Sequence, residues 1–87
     1  MTLLKLRKGL FSLVEEKVDP TSVANGRALR DLNIPPRCVF AAVIRKGELI
    51  VPRGDMILQT ADEVLAVVHS AELTQLAALL GPATPGD

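Results

Sequence analysis

Eighty-seven residues make one small domain, and a chain this short buries only about 60–65% of the surface its unfolded form exposes. Nearly half of the residues are apolar (48%), but there is no Trp or Tyr and only two Phe, so the core has to be built from Val, Leu, Ile and Ala. Ten basic and ten acidic side chains cancel, which excludes the net-basic, aromatic-bearing surface of a nucleic-acid binder, and one cysteine excludes an internal disulfide or a zinc-ligand spacing.

Residues 1–9 mix Leu with Lys and Arg and read as a linker or the start of the first strand. Leu10 to Val18 has β-branched and aromatic content in imperfect alternation, which predicts a strand at a sheet edge, where Glu and Lys are tolerated. Asp19-Pro20-Thr21-Ser22 breaks it. A short helix is expected next, capped by Asn25, with Ala28, Leu29 and Leu32 on one face. Ile34-Pro35-Pro36 ends it, because a residue before proline is pushed out of the helical region.

Cys38 to Arg45 is apolar at both parities, with Val39, Ala41 and Val43 on one face and Phe40, Ala42 and Ile44 on the other. That is the pattern of a strand covered on both sides. Lys46-Gly47 turns it back into Glu48 to Val51, with Gly47 supplying a positive φ. Pro52-Arg53-Gly54-Asp55 forms a turn, Met56 to Leu58 a short extended stretch, and the Thr60-Ala61-Asp62 corner leads into the strand Glu63 to His69. Ser70 caps a final helix on which Leu73, Leu76, Ala77 and Leu80 fall at i, i+3, i+4 and i+7, and Gly81-Pro82 stop it. The expected order is β-α-β-β-β-α. It describes an α+β domain over residues 10–81, a small sheet with helices on one face, followed by a disordered tail at 82–87.

A doubly apolar strand needs two covers. The domain's own helices supply one, and a second copy of the chain is expected to supply the other, making a homodimer. No apolar run approaches the roughly 18–20 residues of a membrane span, and the start, Met1 to Lys8, has too short an apolar core for a signal peptide. The chain is therefore expected to be cytoplasmic and not to insert into a membrane.

The run from Gly26 to Gly81 resembles the C-terminal domain of regulators of K⁺ conductance, the TrkA-C domain. The residues that carry the resemblance are Gly26, Leu29, Leu32 and Pro35, then Ile44, Arg45 and Gly47, then Ile50, Pro52 and Asp55, then Leu58, Asp62, Leu65 and Val67. In two places the chain departs from that pattern. Arg37 stands where a glycine is usual, and the usual Gly-Asp corner reads Ala61-Asp62. If that corner needs a positive φ, Ala61 costs about 1 kcal/mol. The resemblance implies a TrkA-C-like fold and a regulatory module on the cytoplasmic side of K⁺ channels, K⁺ uptake systems or cation/proton antiporters. It implies a module that dimerises and binds a small effector, a cyclic dinucleotide in some members and a divalent cation in others. It also implies a Rossmann nucleotide-binding domain as a partner. No Gly-x-Gly-x-x-Gly occurs in these residues, so such a domain is expected elsewhere in a longer protein or on a separate subunit.

Val43, Ile44, Arg45 and Pro52 are the candidate ligand residues. If two copies meet along this edge, the aliphatic side chains would floor a cleft on the two-fold axis and Arg45 would offer its donor fork to a phosphate. Glu48, Asp55, Asp62 and Glu63 supply hard oxygen donors without the spacing of a Ca²⁺ or Mg²⁺ loop, so Asp55 and Asp62 are read as turn braces and no metal site is expected. His69 reads as a surface residue and Cys38 as a small apolar one, and no catalytic residue is expected. Two functions fit: an effector-binding, dimerising regulatory domain of a potassium or other cation transport system, or a purely structural dimerisation module without a small-molecule ligand.

Overall fold

In Glu63–His69 the burial follows the period of the sequence. Val64, Ala66 and Val68 have no exposed surface, while Glu63, Leu65, Val67 and His69 are half-buried. The computed structural model of the chain describes residues 1–83. Its strands are β1 (Thr2–Leu6), β2 (Phe11–Lys17), β3 (Cys38–Arg45), β4 (Glu48–Ile50) and β5 (Glu63–His69), and one α-helix, α1 (Leu73–Leu80), follows. The strands form one antiparallel sheet in the order β1-β2-β5-β3-β4, so β5 lies at its centre.

The registers Ser12↔Val68, Val14↔Ala66 and Val43↔Val64 bring one set of small and β-branched side chains onto a single inner face. Leu76, Leu79 and Leu80 of α1 close over it together with Val18, Ala24, Leu29 and Leu58 from the connecting segments. A five-stranded antiparallel sheet with a C-terminal helix is a mixed α+β fold, the class expected above.

The details differ from the expectations in ways that have physical causes. The helix expected after Asn25 does not form. Gly26 takes φ +79°, Ala28 bridges Ile57, and only a 3-10 turn appears at Leu29–Asp31. The backbone there is already engaged across the chain. Gly26 donates to Leu58 (2.8 Å), Leu58 to Arg27 (3.0 Å), Leu29 to Met56 (2.9 Å) and Arg30 to Gly54 (2.9 Å). No i→i−4 ladder can use the same groups. The element order is therefore five strands and a helix rather than β-α-β-β-β-α. The strand expected at an edge, β2, is flanked on both sides, because Thr2–Leu6 takes the edge position.

In β3 a bulge at Ala41 shifts the parity. Phe40 and Val43 face the core, and Val39, Ala42 and Ile44 face away, in place of the alternation expected from spacing alone. At the start of the last helix, Ser70 is not the cap. The His69 ring nitrogen Nδ1 accepts from the Ala71 amide at 3.0 Å, because the entry is a 3-10 turn over Ser70–Glu72. Residues 84–87 of the expected tail lie outside the described residues.

Arg37 does not take a positive φ, so its position requires no glycine. Instead it ties the loop before β3 to the helix entry. The buried Glu72 carboxylate accepts from the Arg37 amide (2.9 Å) and from its Nε (3.3 Å). Lys46 (φ 52°) and Gly47 (φ 79°) are both left-handed, the geometry of a two-residue hairpin whose twist matches its strands. The second departure is different. Ala61 takes φ 71° at the corner leading into β5, held there by Ala61 N–H to Val18 (2.9 Å) and Asp62 N–H to Gln59 (3.1 Å). A Cβ in that region costs about 1–2 kcal/mol, of which glycine's extra unfolded-state freedom returns part. Ala61→Gly is expected to stabilise the fold by about 0.5–1 kcal/mol, a rise of roughly 3–6 °C in Tm on a thermal melt.

Candidate functional site

The face of the sheet opposite the core is largely apolar, and no segment among the described residues packs over it; Glu15 and Lys17 of β2 lie on it opposite Leu65 and Glu63 of β5. The rows of this face follow from the registers. Leu6 and Phe11 lie beside His69, Leu4 and Leu13 beside Val67 and Val39, Leu65 beside Ala42, and Ile44 beside Leu49. None of these side chains belongs to the core cluster or is among the half-buried residues packed against it, whereas Leu76, Leu79 and Leu80 of α1 and Val18, Ala24, Leu29 and Leu58 of the connecting segments belong to it. Leu4 is 54% exposed, Val39 65% and Leu49 71%. Five strands about 4.8 Å apart, from three to eight residues long and about six on average, span roughly 24 by 20 Å, a patch at the upper end of what a monomer leaves in water.

The four candidate ligand residues do not share one surface. Val43 is fully buried on the core side, between Val64 and Ile50. Its neighbour Ile44 points the other way and contributes to the uncovered face beside Leu49. Pro52 is half-buried just past β4. Arg45 turns inward to Asp62. Nε donates to Oδ1 at 2.8 Å, Nη2 donates to Oδ2 at 2.7 Å, and Nη2 also reaches the Ile57 carbonyl at 3.0 Å. Asp62 is 1% exposed and accepts the Gln59 amide as well, at 2.9 Å. The donor fork expected to meet a phosphate thus holds the corner in front of β5.

Burial pushes the Asp62 carboxyl up. The Arg45 fork, the Gln59 amide and the positive charge outweigh that and hold it below its ordinary 3.8. The expectation that Asp62 braces a turn through the backbone matches the Gln59 contact, but its partner Arg45 was missed. The signal lay in the pairing itself: in a sheet this small, a buried aspartate before β5 needs a cation, and Arg45 ends the adjacent strand.

Little else here resembles chemistry. Burial, and secondly the charge of Glu72, push the Cys38 thiol up to about 11, so it stays protonated and poorly nucleophilic at neutral pH. Among the described residues no cluster of three or more His, Cys, Asp or Glu could hold a metal ion, and no helix is long and apolar enough to cross a membrane. A pocket of about 380 Å³ opens between the end of β2, the Thr60-Ala61 corner and Gly81-Pro82, away from all four candidate residues.

Residues 13–81 match the family model described as the TrkA-C domain. A Trk system potassium uptake protein TrkA homolog of Archaeoglobus fulgidus is 34% identical over 74 residues, covering 85% of this chain and 17% of that protein. The Trk system potassium uptake protein TrkA of Mycobacterium tuberculosis (strain ATCC 25618 / H37Rv) is 30% identical over 80 residues, covering 92% of this chain and 36% of that protein. The chain therefore spans a minor part of the curated relatives it matches. A solved structure described as "Structure of RCK domain with cda" is similar with a TM-score of 0.67 and 25% identity, covering 78% of this chain and 96% of that one.

Arg45→Ala removes the partner of a buried carboxylate and is expected to destabilise the fold by about 2–4 kcal/mol, measured by urea denaturation. A lowered folded pKa means that the stabilisation from the pair is complete above the ordinary aspartate value of 3.8 and is lost as pH falls through the lowered value. The wild-type urea midpoint should therefore fall steeply below about pH 4, and Asp62→Asn should flatten that fall while lowering stability at neutral pH.

Proposed function

The chain belongs to the TrkA-C domain family, and from that premise we propose that it is a non-catalytic regulatory domain of a potassium or other cation transport system, acting as a homodimer closed over the uncovered sheet face. The uncovered face carries the proposal. Ten apolar side chains lie on it and no segment among the described residues covers them, so a second copy presenting the same face would remove both patches from water at once. The partners proposed are a membrane cation transporter or channel on the cytoplasmic side and a Rossmann nucleotide-binding domain, in keeping with the potassium-uptake relatives.

In this reading an effector, a cyclic dinucleotide or a divalent cation, binds where the two copies meet and favours one arrangement of the subunits. Regulation requires that the effector bind the two arrangements unequally. Ile44 and Pro52 offer it apolar surface at the end of β3 and just past β4. Val43 and Arg45 hold those elements in place from behind, and in doing so take no direct part through their side chains.

That last point favours a second reading. With Val43 buried and the Arg45 fork engaged by Asp62, a structural dimerisation module without a small-molecule ligand fits the same surface. Thermal-shift assays separate the two. A rise in Tm with a cyclic dinucleotide, an adenine nucleotide or a divalent cation supports the effector-binding domain. No shift with any of them leaves the structural module.

Leu65→Asp places a charge at the centre of the face without touching the core. It is expected to weaken the dimer at least about 100-fold in sedimentation equilibrium while circular dichroism stays native. An unchanged dimer in this variant would mean that the copies meet elsewhere.

A further inference from the structure

The central strand gives the uncovered face a direction. The side chains that β5 turns outward are, in order, Glu63, Leu65, Val67 and His69, with an acid at one end, an imidazole at the other and two aliphatic groups between. Such a row complements itself when reversed and opposes itself when repeated. We propose that two copies pack face to face about a two-fold axis that crosses the strands at Ala66, so that the two β5 strands run antiparallel and His69 of each copy donates a hydrogen bond to Glu63 of the other. This rests on the homodimer reading above and adds its orientation and its specificity pair.

The imidazole is oriented for this task by its own chain. Nδ1 accepts the Ala71 amide at 3.0 Å, which leaves the neutral ring's proton on Nε2 as a donor. Phe11 meets the ring edge-on, with centroids 5.3 Å apart and planes at 85°, and holds it on the face. Glu63 is the matching acceptor. It lies directly opposite Lys17 in the register, yet the ion pairs among the described residues are Met1–Glu16, Arg37–Glu72 and Arg45–Asp62, and Glu63 is in none of them.

Sheets that pack face to face stand about 10 Å apart, within the combined reach of a glutamate and an imidazole. Their usual crossing of about −30° displaces the ends of β5 sideways by about one strand spacing, which the same two side chains can absorb. With the axis along the strands instead, Glu63 would face Glu63 and His69 would face His69 in a region shut off from water. Like charges there are destabilising. The reversed arrangement replaces that repulsion with two hydrogen bonds to a charged acceptor, one at each end of the Leu65 and Val67 pair, with Glu15 of β2 at the side of Leu65.

Sedimentation equilibrium of the full 87-residue chain tests the orientation, using the wild type, Glu63→His, His69→Glu and the double exchange. Each single variant is expected to raise the dimer Kd about tenfold, and the double exchange to return it to within about threefold of wild type. Glu63→Gln, which keeps shape and loses charge, is expected to weaken the dimer likewise. It also guards against a folding defect in His69→Glu, where the cap on Ala71 is altered. A tighter dimer in Glu63→His or Glu63→Gln, or a double exchange that does not recover, would overturn the reversed orientation while leaving the dimer in place. A wild-type chain that stays monomeric at millimolar concentration would instead overturn the homodimer reading itself, and the orientation with it.

Discussion

Among the described residues, the cover over the sheet of five strands comes from eight helical residues and connecting segments that include Val18, Ala24, Leu29 and Leu58, packed against the side that carries Val64, Ala66 and Val68. Alternating side chains make every strand two-faced, so covering Val64, Ala66 and Val68 leaves Leu65 and Val67 facing out. The inner face supplies the fold's stability, and the outer face becomes a surface that is most stable when something covers it. The position of β5 at the centre makes its outward row the middle of that surface.

The Arg45–Asp62 pair shows how closely fold and surface are joined. Asp62 fixes the corner before β5 by accepting from Gln59 and from both arms of the guanidinium, and Arg45 ends β3 one residue after Ile44. A substitution at Arg45 therefore changes the sheet before it changes any contact made by the sheet. The left-handed Ala61 next to Asp62 sits in the same corner, and its strain is sustained by the bonds to Val18 and Gln59.

Several features could be read from residues in order. Alternation in Glu63–His69, the Lys46-Gly47 hairpin and the final helix each depend on neighbours within one element, and the structure has all three, although on α1 Leu79 is buried and Ala77, expected on the inner face, is exposed. The excess of apolar residues over what one small core can use was equally legible, and the uncovered face is where that excess lies. The resemblance to the TrkA-C domain, built from scattered Gly, Pro and Asp positions, agrees with the match over residues 13–81. Where Val43 and Arg45 point was not legible in the same way: a bulge at Ala41 shifts the parity of β3, so that Val43 faces the core, and buried Asp62 takes up the Arg45 guanidinium.

By itself the sequence determined the strands with clean alternation, the final helix, the tight turn and the family, since each rests on local spacing and local backbone preference. Only the tertiary structure decided that Gly26–Leu32 would be a loop bonded to Met56–Leu58, that β2 would be an inner strand, and which side of β3 would meet the core. These choices turn on which distant backbone groups satisfy one another and on a single extra residue in a ladder. Hydrophobic periodicity carries no record of either.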